Sequence, residues 1–150
     1  MRRPEEAIAA ARGLLKVPWL HQGRNPRVGI DCAGLLVLAY ALDYDHTSYS
    51  THPHRGLLEE QLERALGVTH RLERADVSAA DLRLGDVLAM TSPGGRTARH
   101  VAVVGDYVHG GPSIIHTDAA LGCVVECALD SGTVSQIDKV YSPWAALQGK

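Results

Sequence analysis

Between Cys32 and Leu42 the chain reads Cys-Ala-Gly-Leu-Leu-Val-Leu-Ala-Tyr-Ala-Leu, a run without one charged residue. A helix apolar on every side cannot lie on a surface, so this segment predicts a helix buried all round. Asp31 stands directly before it, where an N-cap belongs. Such a helix needs cover on more than one side. Five β-like runs supply it, at 86–90, 100–104, 113–118, 123–128 and 134–141, several of them separated by Gly-Gly, Gly-Asp and Gly-Pro pairs. Helices first and strands afterwards is the α+β pattern, with a mostly antiparallel sheet.

Two further helices are expected. One begins at Pro4, with Glu5 and Glu6 complementing the positive end of its dipole, and runs to about Lys16. The other carries Leu57, Leu58, Leu62 and Leu66 on one face and stops at Gly67. The chain has 150 residues, enough for one domain (1–150) with its own core. Phenylalanine is absent, so Leu, Val, Ile and Ala must fill that core.

Charge narrows the partners. A formal net charge of −2 gives no basic surplus for nucleic acid or an anionic membrane, and neither is expected as a partner. No stretch approaches the roughly 18 consecutive apolar residues of a membrane span. Arg12 and Lys16 interrupt the N-terminal apolar run before it becomes a signal peptide, so the expectation is a chain made in the cytoplasm with no export route of its own. Three cysteines, an odd number, argue against a disulfide framework.

Cys32 falls in the first turn of the buried helix. Free N–H groups and the helix dipole favour a negative group there, which predicts a lowered thiol pKa and a place for an oxyanion. Asp31 acts against this unless its charge is taken up in capping. The plainer reading is a small apolar residue packed under the helix. The histidines decide between the two, because a thiol nucleophile needs a base. His100 opens one apolar run and His116 lies within the next. On neighbouring antiparallel strands the two imidazoles meet on one face, with His100 as base and His116 holding its tautomer.

Other groupings admit two readings each. Cys123 and Cys127, four apart in a strand, are too far separated for one metal and read as inward-facing core with Val125. His46, His52 and His54 are either a metal-binding cluster or a solvated loop; the latter is the expectation, with no metal and no cofactor. Arg24 and Arg27 are either solvated loop charges or contacts for the carboxylates of an anionic substrate.

Three motifs carry a resemblance. Val17-Pro-Trp-Leu-His-Gln-Gly23 with Gly29-Ile-Asp-Cys-Ala-Gly-Leu35 resembles the nucleophile motif of the NlpC/P60 cysteine peptidases. Leu84-Gly-Asp-Val-Leu88 followed by His100-Val-Ala-Val-Val-Gly105 is similar to that family's Gly-Asp strand and base histidine. Ile114-Ile-His116 is similar to the strand with its third polar residue. The match runs from about residue 5 to 143. It implies a papain-like α+β fold, with the nucleophile at a helix N-terminus packed on an antiparallel sheet of five to six strands. It also implies hydrolysis of an amide in the stem peptide of peptidoglycan, between D-γ-glutamyl and a diamino acid. Cys32 would attack, His100 would carry the proton and His116 would orient it. Trp19, Asp31, Arg24 and Arg27 form the expected substrate-binding set, without cofactor.

The sequence departs from the family pattern at Trp19, where tyrosine is common, and at Ala33, where serine is common. The His-Gln-Gly variant, the stretch from Tyr49 to Leu58, Val124-Val-Glu126 and the closing Val140-Tyr-Ser-Pro143 resemble the subgroup encoded with bacteriophage tails and gene transfer agents. That likeness implies tail-tip or hub proteins as partners and incorporation in a virion tail or tail-like particle.

Overall fold

The computed structural model describes residues 1–50 and 55–144. Helix α1 (Pro4–Arg12) leads into a short ribbon, β1 (Arg24–Asn25) and β2 (Gly29–Ile30), then helix α2 (Cys32–Tyr40) and helix α3 (Leu57–Leu66). The strands follow as β3 (Leu72–Glu73), β4 (Val87–Met90), β5 (His100–Asp106), β6 (Pro112–Asp118) and β7 (Cys123–Ala128). A short helix α4 (Ser131–Val134) precedes β8 (Ile137–Tyr141). Strands β3 to β8 form one six-stranded sheet in the order β3-β8-β4-β5-β6-β7, and every pairing within it is antiparallel. The α+β expectation holds. Among the described residues no helix is long and apolar enough to cross a membrane.

Strand alternation divides the core in two. Val87, Ala89, Val101, Val103, Ile115 and Val124 face α1 and α2, whose Ala7, Ala11, Leu35 and Ala39 they bury. Leu88, Met90, Ala102, Val104, Ile114 and Val140 face the other way, under Leu72, Val77 and Leu82. The sheet is covered on both sides, so β4 and β5 read as continuous apolar runs. Small residues on α1 and α2 let the helices approach the sheet closely, which compensates for the missing phenylalanine.

Helix α1 ends at Arg12, short of the expected Lys16. Residues 13–16 continue as turns, and Lys16 adopts a positive φ of 73° while its N–H donates to the carbonyl of Val124. Tertiary pairing with β7 has overridden helical continuation. Arg12 then reaches across the sheet to Glu126 (2.9 Å) and Asp106 (2.9 Å), and Ser113 donates to the same Glu126 at 2.6 Å.

That clamp corrects the expected orientation of β7. The register pairs Ile115 with Glu126 and Thr117 with Val124. Val124 and Glu126 therefore take the helix-facing side, and Cys123, Val125 and Cys127 the other. Cys127 is exposed and Cys123 only partly buried, so neither is a core residue.

Candidate active site

The site is assembled at the head of α2. Asp31 caps the helix through its carboxylate, which accepts from the Gly34 N–H at 2.9 Å. Its remaining capacity is also taken: Gln22 N–H at 2.8 Å, Arg24 Nη1 at 2.9 Å, and the Tyr49 hydroxyl. Gly34 permits this arrangement. A Cβ there would sit 2.3 Å from the carbonyl oxygen of Gly23, so only glycine lets the β1–β2 ribbon lie against the first turn of α2.

Arg24 holds the other half of the network. Its Nε donates to Asp45 at 3.0 Å, its Nη2 to the His46 carbonyl and the Tyr49 hydroxyl, and its guanidinium lies 5.7 Å from the Tyr49 ring centre. The sequence motifs did not single out Tyr49 for this role. It docks the 43–50 loop onto the cap of α2, and burial, then the hydrogen bond to Asp31, push its hydroxyl pKa up.

The histidines come from neighbouring strands. Strand β5 pairs Val103 with Ile115 of β6, and this register carried onward makes His100 and His116 diagonal neighbours on one face. His100 Nε2 lies 2.9 Å from His116 Nδ1. Burial, and the second imidazole, push the His100 pKa down to about 4. Burial lowers that of His116 as well, against the opposing pull of Asp118. Both rings are therefore neutral at pH 7, and with Nε2 engaged, Nδ1 is the nitrogen of His100 left for a substrate-side proton.

Cys32 shares one cavity of ≈ 650 Å³ with both histidines. The expected low thiol pKa is not found: burial, then the charge of Asp31, push it up to about 11. Backbone hydrogen bonds from Val101 and Ala33 and the charge of Arg24 pull the other way and lose. The helix start favours a thiolate, but desolvation outweighs it.

The remainder of the cavity divides sharply. Trp19, His21, Arg99 and Asp118 form a polar rim beside the histidines. The opposite wall is Leu36 and Val37 of α2 with Leu57, Leu58, Leu62 and Ala65 of α3, interrupted by Gln61 of the same helix.

The fold has counterparts among solved structures. The NlpC/P60 domain of the peptidoglycan hydrolase SagA superposes with a TM-score of 0.60 at 22% identity, over 94% of this chain and 99% of that one. The fold is that of the NlpC/P60 domains. RipB from Mycobacterium tuberculosis, a peptidoglycan hydrolase, gives 0.52 at 19% identity over 93% of this chain, which spans 64% of RipB. An N-acetylmuramoyl-L-alanine amidase from Bacteroides uniformis gives 0.57 at 12% identity, covering 91% of this chain and 96% of that one. No protein-family profile matches the sequence. No curated protein matches it either.

Within this NlpC/P60 fold, the expected substrate-binding set is only partly brought to the cavity. Trp19 lines it and is 37% exposed. Asp31 and Arg24 line it too, but their polar atoms are spent on each other and on the loop, so they hold the site together instead of offering charge to a ligand. Arg27 stands apart. It is exposed in the β1–β2 turn, its N–H bonded to Asn25, and it does not line the cavity. Arg99 was not marked by the sequence, although it directly precedes the His100 motif. It reaches the rim with no carboxylate partner among the described residues.

His109 lies exposed in the β5–β6 turn, stacked edgewise on Tyr107 and away from the cavity. Of the loop histidines, His46 packs on Tyr49, while His52 and His54 lie outside the described residues. Among the described residues no group of three His, Cys, Asp or Glu is arranged to hold a metal ion.

Proposed function

We propose that this chain is a cysteine peptidase that hydrolyses an amide bond in peptidoglycan stem peptides, between D-γ-glutamyl and a diamino acid. The observation that carries the reading is the His100–His116 contact of 2.9 Å on the wall of the cavity that Cys32 also lines. The shared fold with two peptidoglycan hydrolases supports it.

The chemistry follows from the protonation states. A thiol held near pKa 11 and an imidazole held near 4 on the same cavity are both neutral at rest, not a preformed ion pair. The proton therefore moves as the bond forms. Sγ of Cys32 attacks the amide carbonyl while His100 Nδ1 takes the thiol proton, and the carbonyl oxygen becomes an oxyanion. N–H groups in the first turn of α2 are the donors available to it. His100 then returns the proton to the departing amine as the C–N bond breaks, leaving a thioester. Water, deprotonated by the same histidine, releases the carboxylate. His116 accepts from His100 Nε2 throughout and so keeps the lone pair on Nδ1.

Transport on a phage tail or tail-like particle, implied by the sequence resemblance, belongs to the same reading. Immunodetection of the chain in purified particles tests that part. For the chemistry, wild type and Cys32→Ala are incubated with purified peptidoglycan fragments and the products read by mass spectrometry. A stem-peptide cleavage seen only with wild type is expected. No product from either protein, free or particle-bound, overturns it.

A second reading is an amidase or acyl-transfer reaction on another substrate. The aliphatic wall of the cavity favours it, and cleavage of a non-peptidoglycan amide in preference to stem peptides would establish it.

A further inference from the structure

The polar atoms that line the cavity are largely committed. Arg24 is neutralised by Asp31 and Asp45, and the Tyr44 hydroxyl donates to Gln61. What remains uncommitted is one-sided. Arg99 and Trp19 stand at the rim by the histidines, whereas the wall between α2 and α3 is aliphatic apart from Gln61, whose side-chain oxygen is taken by Tyr44. Leu36 and Val37 lie one helical turn beyond Cys32 and Ala33 on α2. Leu58, Leu62 and Ala65 recur at helical spacing on α3, and Leu57 joins them. Leu57 and Leu58 are only partly buried, so a ligand removes further apolar surface from water there.

We infer that the wall formed by Leu36, Val37, Leu57, Leu58, Leu62 and Ala65 is a subsite for an uncharged aliphatic group adjoining the bond that Cys32 attacks. The occupant is part of the substrate itself, because wall and thiol belong to one continuous cavity. An ionised group placed there would lose its hydration with no charged side chain on that wall to replace it. This deepens the proposed function and rests on Cys32 as nucleophile. A stem peptide satisfies it with an alanyl methyl or the methylene chain of its diamino acid against the wall. Its carboxylates then point to the rim, where Arg99 is free to pair with one.

The test uses N-alkylmaleimides of increasing chain length, from methyl to hexyl, on the full chain at fixed pH. Modification of Cys32 and of Cys127 is read separately by peptide mass spectrometry. Cys127 is exposed and, although its sulfur lies 3.7 Å from His116 Nε2, does not line the cavity, so it serves as the internal control. The rate at Cys32 should rise about two- to fourfold for each added methylene, as burial of CH₂ groups predicts, and that at Cys127 should stay flat. Leu58→Gln and Ala65→Gln should flatten the series at Cys32, and far-UV circular dichroism with a cooperative denaturant transition shows that the variants fold. A flat series in wild type, or a rising one undiminished in both folded variants, overturns the inference.

The two proposals fail separately. A rising series with hydrolysis that survives Cys32→Ala sinks the peptidase reading and leaves the aliphatic wall as a ligand subsite beside a thiol that is not the nucleophile. A flat series with Cys32-dependent hydrolysis does the reverse.

Discussion

His100 Nε2 and His116 Nδ1 lie 2.9 Å apart although the residues are separated by the whole β5–β6 hairpin. Two neutral imidazoles in this contact share a single proton. Only when that proton resides on His100 does its Nδ1 carry a lone pair. The second histidine thus determines whether the first can act as a base. His116→Ala should lower kcat by about 100-fold with little change in KM, in line with general-base contributions. His116→Asn, which keeps an acceptor, should recover part of the loss. Steady-state kinetics on a stem-peptide fragment check both, and an unchanged kcat in His116→Ala would refute the role.

The thiol should titrate late. With Cys32 held near 11, alkylation by iodoacetamide should keep rising with pH through 9 and 10, with no plateau near neutrality. Arg24→Gln removes a cation that favours the thiolate, and should move the profile of Cys32 further upward. A plateau below pH 7 would mean that a thiolate–imidazolium pair exists at rest.

Stability should depend on pH through His100. Its folded pKa of about 4 lies below the ordinary 6.5, so the unfolded chain binds this proton more readily. The contribution is intact above pH 6.5, is lost as pH falls, and levels off near 4. The loss amounts to about 3 kcal/mol over that window. Urea unfolding at pH 7 and pH 4.5 should show a smaller drop for His100→Gln than for wild type. Equal drops would place the imidazole in a more polar setting than the geometry indicates.

Asp31 should be costly to remove. Asp31→Ala deletes the cap on Gly34 and leaves Arg24, half-buried against Tyr49, with Asp45 as its remaining carboxylate. A lost cap costs about 1 kcal/mol and breaking a buried pair about 3 kcal/mol. Asp31→Asn retains the cap acceptor and should lose less. Denaturant midpoints at constant m-value distinguish them.

Gly34→Ala tests the close approach of ribbon and helix. Its methyl would meet the Gly23 carbonyl at 2.3 Å, so backbone must shift, at roughly 1–3 kcal/mol. The rate of Cys32 alkylation should change with it, since the first turn of α2 moves. A variant with wild-type stability would show that the ribbon is free to retreat.

Much of this was legible in the chain because it depends on local pattern. The all-apolar run after Asp31 announces α2, and the strand runs announce β4 to β8 nearly at their observed bounds. His100 and His116 could be paired because a hairpin fixes relative position by counting. Residues whose role depends on distant contact were not legible. Tyr49 meets Asp31 only through the folded loop. Cys127 was assigned to the wrong face because the β6–β7 register, anchored by Arg12 on Glu126, is set by a residue 114 positions away. The thiol pKa was misjudged in sign because a sequence displays the helix start but not the depth at which it is buried.

One carboxylate holds four donors at the head of α2, and two of them, Arg24 and Tyr49, belong to the ribbon and to the loop that border the cavity. Ribbon, loop and helix are consequently not independent parts. A ligand that draws Tyr49 aside also loosens Asp31, and so alters both the footing of the helix and the field at the sulfur. In the proposed reaction, recognition by the loop and reactivity at the thiol are thereby mechanically joined at Asp31.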